Sequence, residues 1–193
     1  MKRLLRPIAW LLIASVSFWI GGGAVTIENF ADYPQQVQVG TAPIYTYVQQ
    51  PGYYAVHYAA MPELLPERVT SDAVAVMEEE AIAVFAGSPT ARKAATNGIV
   101  TPVYALKSGG SIAVPTGQVF IRFAEAIPAA SRQDAIQTAG YEIVEIPEYA
   151  PHTAWVRSRS GKVAEALEGL SRLSAIADVE HIEPQMLTQR QFK

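Results

Sequence analysis

From Gly117 onward the apolar spacing alternates between the period of a strand and the period of a helix, and this alternation limits what the chain can fold into. Val119–Phe123 (VFIRF) alternates with period two, which places Val119, Ile121 and Phe123 on one face and Phe120 and Arg122 on the other. Pro128 suits the first turn of a helix running through Arg132, Asp134 and Ile136 to Ala139, and Gly140 supplies a left-handed stop. Tyr141–Ile146 (YEIVEI) reads as a second strand closed by the loop from Pro147 to Pro151, and Thr153–Arg157 (TAWVR) as a third. Ser160 is placed to cap a second helix in which Val163, Ala166, Leu167, Leu170 and Leu173 form a core-facing stripe. Glu168 and Arg172 fall four residues apart on its outer side, as a solvated pair would. Val179–Glu183 (VEHIE) is a fourth strand, ended by Pro184 because proline cannot donate to a ladder. The order β-α-β-β-α-β predicts an α+β fold whose C-terminal part, residues 117–184, is a ferredoxin-like sandwich.

Upstream the pattern is less regular. Prolines at 34, 43, 51, 62, 66, 89 and 102 break any long helix, so residues 25–106 are expected to form a smaller strand-rich region. Tyr53–Tyr58 and Glu80–Phe85 have the composition of short strands, while Ala73–Glu79 fits either strand or helix. The Gly/Ser run from Lys107 to Ser111 has the composition of a flexible linker, and residues 107–116 are assigned to one.

The first residues address the chain. Lys2, Arg3 and Arg6 precede an uncharged run from Ile8 to Ile20, and Gly21, Gly22 and Gly23 interrupt it, so residues 1–24 read as a signal peptide with the mature start near Val25. The alternative is an uncleaved signal anchor that tethers the chain to a membrane. Cleavage would take Lys plus Arg from 15 to 12 against 18 Asp plus Glu, leaving an acidic, exported chain, periplasmic or extracellular, with no stable membrane association. An acidic balance gives no electrostatic reason to bind nucleic acid. The chain has no cysteine, which removes disulfides, thiolate metal sites and cysteine nucleophiles.

No enzyme constellation stands out. G-x-S-x-G, H-E-x-x-H, P-loop and G-x-G-x-x-G motifs are missing, and His57, His152 and His181 are far apart in sequence. Glu78, Glu79 and Glu80 read as a solvated acidic patch, and no cofactor, metal or catalytic residue is expected. In a ferredoxin-like sandwich both helices cover one sheet face. Phe120 and Trp155, joined by His181, are then expected on the open face, which serves either as a docking surface for a partner or as the seat of the N-terminal region.

The runs GQVFIRF, AGYEIVEIPEYAPHTAWVR and VAEALEGLSRLSAIADVEHIEPQML closely resemble the propeptides of subtilisin-like serine proteases and the stand-alone inhibitors and chaperones related to them. The resemblance covers residues 117–193. Upstream, Val100–Tyr104 resembles the phrase that ends the extra N-terminal region of some secreted subtilases, and Val100-Thr101-Pro102 against Ile182-Glu183-Pro184 suggests an internal repeat. Because no catalytic domain follows Lys193, the chain resembles the separately encoded form, a chaperone and inhibitor of a protease made from another gene.

In that family the open sheet face packs on two protease helices, and the C-terminal tail lies in the substrate cleft by β-augmentation. The resemblance therefore implies a tail of residues 185–193 in which Gln189, Arg190, Gln191, Phe192 and Lys193 enter the cleft. Lys193 would be P1-like and Arg190 P4-like, as suits a protease of the kexin-like kind. It also implies docking through Phe120, Glu148, Tyr149, Trp155, His181 and Glu183, with Glu148 and Glu183 accepting hydrogen bonds from helix N-termini of the partner. The alternative is an exported ferredoxin-like binding module with a non-protease partner, for which the tail would be a frayed terminus.

Overall fold

The computed structural model describes residues 30–40, 43–58, 72–89 and 99–188. The expected signal peptide and Gln189–Lys193 lie outside the described residues. The fold is mixed and sheet-rich, with nine antiparallel strands in one sheet and few helices. The strands are β1 (Gln36–Val39), β2 (Tyr45–His57), β3 (Ala75–Met77), β4 (Ile82–Ala86), β5 (Ile99–Leu106), β6 (Ile112–Phe123), β7 (Tyr141–Glu145), β8 (Thr153–Ser158) and β9 (Val179–Thr188). A 3-10 turn (Ala129–Arg132) leads into α1 (Gln133–Thr138), and α2 (Val163–Glu168) is followed by α3 (Leu170–Ser174). The main path runs β3-β4-β2-β5-β6-β8-β7, with β1 paired to β2 and β9 paired to β6.

β6 belongs to both halves of the sheet. Ala113 and Ile112 pair with Tyr104 and Ala105 of β5, while Gln118–Arg122 pair with Arg157–Thr153 of β8. Between these stretches the ladder to β9 slips, since Pro115 faces Met186 but Val119 already faces Pro184. The extra residues form a bulge at Thr116–Gln118, and Gly117 takes φ +88° there. Polar groups close the bulge from within: Thr116 Oγ1 donates to Gln185 Oε1 at 2.7 Å, and the Gln118 N–H donates to Thr116 Oγ1 at 3.1 Å.

Several expectations change here. Residues 107–116, assigned to a flexible linker, are a hairpin turn and the first residues of β6. The Gly109 N–H donates to the Leu106 carbonyl at 2.9 Å, and Gly109 has φ +91°. Gly/Ser composition serves a tight turn as readily as a linker, and the apolar residues Ile112–Val114 after it join the ladder. Ala73–Glu79, open between helix and strand, holds β3 followed by a turn at Glu78–Glu80.

Pro184 does not end the fourth strand. Among the described residues β9 pairs with β6 alone, so its outer edge makes no ladder bond to them and tolerates a residue without an N–H. The strand continues to Thr188, and residues 185–188 of the expected free tail belong to the sheet. Met186 and Leu187 explain this, because they pack on two different apolar clusters, one around Val37 and Tyr104, the other around Val84 and Val114.

The second helix is also modified. Its stripe is inward as expected, with Val163, Ala166, Leu167 and Leu173 buried and Leu170 half-buried, but Gly169 divides it into α2 and α3. Lys162, not Ser160, is the N-cap residue. The Ser160 Oγ instead accepts from the Lys162 N–H at 3.2 Å and donates to Glu165 Oε2 at 2.6 Å. Arg172, expected beside Glu168, donates through Nε to the Ala139 carbonyl at 2.9 Å and ties α3 to the end of α1. The first helix holds to its pattern, starting at Pro128 as a 3-10 turn and stopping at Gly140 with φ +94°.

The core below these helices is the predicted face. Val119, Ile121, Phe123, Ala154 and Val156 are fully buried against Ala129, Ile136, Ala166 and Leu173. Burying a side chain of Val, Ile or Phe size stabilises by roughly 1.5–3 kcal/mol, so this face fixes which residues of β6 and β8 turn outward.

Candidate protein-docking site

Because side chains alternate along a strand, burial of Val119 and Ile121 forces Phe120 and Arg122 onto the opposite face. The register places Trp155 of β8 and Glu183 of β9 on either side of Phe120, and His181 of β9 beside Arg122. The Phe120 and Trp155 rings meet edge to face with centroids 5.4 Å apart, and the His181 ring lies 6.3 Å from Phe120. Glu183 Oε2 is 3.1 Å from His181 Nε2. Four of the residues expected at a docking surface are therefore brought together: Phe120, Trp155, His181 and Glu183.

Glu148 and Tyr149 are exposed on the loop between β7 and β8, and Tyr149 is 92% exposed, outside the residues that line this cluster. Ion pairs frame the same face. Arg157 Nε lies 2.6 Å from Glu142 Oε1, and Arg122 Nε lies 3.6 Å from Glu180 Oε2. Both pairs are solvent-exposed and contribute little to stability, so their effect is to rim an aromatic centre with charge.

Among the described residues the N-terminal half flanks the face, and Phe120, Trp155 and His181 are all half-buried. Val39 of β1 and Tyr47 of β2 stand across from Phe120 and Trp155, and Pro184 and Met186 of β9 lie between them. The result is a groove of about 360 Å³. Sequence reasoning missed Val39 and Tyr47. The alternating run Gln36–Val39 was a legible strand, but nothing local to it specifies that β1 comes alongside β9.

Electrostatics inside the two halves separate structural groups from the groove. Burial lowers the His57 pKa from 6.5 to about 4, and its Nε2 lies 3.1 Å from Thr101 Oγ1. This imidazole is a half-buried group at the end of β2 with a hydroxyl partner. Burial raises the Tyr141 hydroxyl to about 12, consistent with its role as a donor to the Ala166 carbonyl at 2.7 Å. Tyr47 is raised first by burial and then by the charge of Glu183. Among the described residues no group of three or more His, Cys, Asp or Glu could hold a metal ion, and no helix is long and apolar enough to cross a membrane.

What the arrangement can do chemically is recognise a surface: aromatic rings in edge-to-face contact, one carboxylate and flanking ion pairs spread over three paired strands. Comparison with protein-family models, with curated proteins and with solved structures returned no match.

Proposed function

We propose that this protein is an exported chaperone and inhibitor of a subtilisin-like serine protease, docking through the sheet face that carries Phe120, Trp155, His181 and Glu183. Residues 117–184 form a ferredoxin-like sandwich in this reading. Its support is the antiparallel order β9-β6-β8-β7 with α1 and α2–α3 on one face and the aromatic cluster on the other. The single observation that carries the proposal is this cluster, because a half-exposed aromatic centre rimmed by charge has the anatomy of a protein interface. The resemblance of GQVFIRF, AGYEIVEIPEYAPHTAWVR and the closing VEHIEP run to subtilase propeptides names the partner class.

The role is non-catalytic. Gln189–Lys193 would occupy the substrate cleft as a product-like strand, with a kexin-like protease as the best match to Arg190 and Lys193. Inhibition and chaperoning would share one interface, since binding the native protease in preference to its unfolded chain stabilises it by mass action. Titration of the purified protein against a panel of subtilases that includes a kexin-like one tests the proposal. The expected result is inhibition that disappears when Gln189–Lys193 are removed. A folded protein that neither inhibits nor accelerates refolding of any member would sink it.

A second reading, an exported binding module for a non-protease partner, is favoured by the length of β9. Residues 185–188, expected in a free tail, are held in the sheet by pairing with β6. For such a module, removal of Gln189–Lys193 leaves partner binding unchanged.

A further inference from the structure

We propose that the groove between the two halves of the sheet receives a single arginine side chain of the docked partner. The inference rests on the reading of this face as a docking surface and specifies what one part of it binds. Three aromatic residues wall the groove: Tyr47 from the N-terminal half, and Phe120 and Trp155 from the C-terminal half. Pro184, Gln185 and Met186 of β9 complete the lining. Glu183, directly across the ladder from Phe120, is the one charged side chain in the lining, and neither lysine nor arginine is among the lining residues. Glu183 Oε2 lies 3.1 Å from His181 Nε2, and the carboxylate and the Tyr47 ring line the same groove.

Charge complementarity then selects the occupant. An apolar side chain seated here would leave the accepting positions of Glu183 that are not turned to His181 without a donor, a cost of the kind that excludes wrong partners. A cation meets both demands, since aromatic faces attract positive charge and the carboxylate accepts its hydrogen bonds. Arginine fits better than lysine because its planar guanidinium can stack on a ring while its N–H fork addresses a carboxylate. The volume, about 360 Å³, lies at the lower end of ligand-site sizes and suits one long side chain rather than a folded element. Tyr47 and Val39 are contributed by β2 and β1, so the N-terminal half has a recognition role as well as a structural one.

The chain contains three tryptophans, Trp10, Trp19 and Trp155. In the full chain carrying Trp10→Phe and Trp19→Phe, emission reports on the groove alone. Titration with N-acetyl-arginine amide is expected to give a saturable change, and N-acetyl-norleucine amide, similar in length but uncharged, a response at least about tenfold weaker in apparent affinity. Glu183→Gln and Tyr47→Leu, introduced separately, are each expected to weaken the arginine response about tenfold with circular dichroism unchanged. Equal responses to the two compounds, no saturable response to arginine, or an unchanged response in Glu183→Gln would overturn the inference. No protease is present in this experiment, so the two proposals fail separately. Subtilase inhibition without arginine binding removes only the groove assignment, and arginine binding without inhibition of any subtilase removes only the protease partner.

Discussion

The Tyr141 hydroxyl, at the start of β7, donates to the Ala166 carbonyl of α2 at 2.7 Å, and only a glycine at 169 leaves room for it. A Cβ on Gly169 would lie 2.3 Å from that hydroxyl oxygen and 2.8 Å from the ring, closer than real contacts allow. The buried tyrosine under the helix therefore requires glycine at the α2–α3 junction. Gly169→Ala is expected to destabilise the fold by about 2–3 kcal/mol through overpacking, and Tyr141→Phe by about 1–2 kcal/mol through the lost hydrogen bond. Chemical denaturation of both variants measures the difference. Equal stability of Gly169→Ala and the parent would contradict the packing.

His57 makes stability depend on pH. Its folded pKa, about 4, lies below the ordinary 6.5, so between these values the unfolded chain binds a proton that the folded chain refuses. The contribution is fully present above pH 6.5, is lost as pH falls toward 4, and is constant below that. Its size is up to about 3 kcal/mol. Denaturation midpoints measured across this window should fall more steeply for the parent than for His57→Gln, and parallel curves would remove His57 as the cause.

Two truncations separate the strand from the tail. Removal of Gln189–Lys193 is expected to leave the melting temperature within a few degrees of the parent while abolishing subtilase inhibition. Removal from Gln185 onward also takes Met186 and Leu187 out of their clusters and is expected to cost about 2–4 kcal/mol. Thermal melts alongside inhibition assays distinguish the two effects, and identical melts for both truncations would show that residues 185–188 do not hold the sheet.

Phe120→Ser and Trp155→Ser probe the face directly. Both side chains are half-buried and lie outside the apolar core beneath the helices, so stability should change by less than about 2 kcal/mol. Inhibition of a responsive subtilase should weaken at least about tenfold, as expected for aromatic residues at the centre of an interface. Inhibition constants that match the parent in both variants would place the interface elsewhere.

Gly117 stands at the junction of the two halves, with φ +88° and the position of an added Cβ 3.1 Å from Val163 Cγ2. Gly117→Val is expected to cost about 2–4 kcal/mol, from strain at positive φ and collision with the start of α2. A melting temperature equal to the parent's would show that the bulge relaxes freely.

Local pattern was enough for the type of each element after Gly117 and for its faces, but not for the break at Gly169 or the end of β9. Period-two runs such as VFIRF and TAWVR, and the stripe from Val163 to Leu173, encode their own conformation and state which side is apolar, because burial of one face requires that spacing. The outward placement of Phe120, Trp155 and His181 followed from the same alternation. Long-range pairing is not written in any one segment. Continuation of β9 past Pro184 depends on the edge position of that strand and on clusters built from distant residues such as Val37 and Val114. Assignment of residues 107–116 to a turn and to β6, rather than to a linker, depends on β5 and β9 arriving on opposite edges. The groove needs Tyr47 and Val39 set against Phe120 and Trp155, and that meeting arises only when non-local strands choose their register.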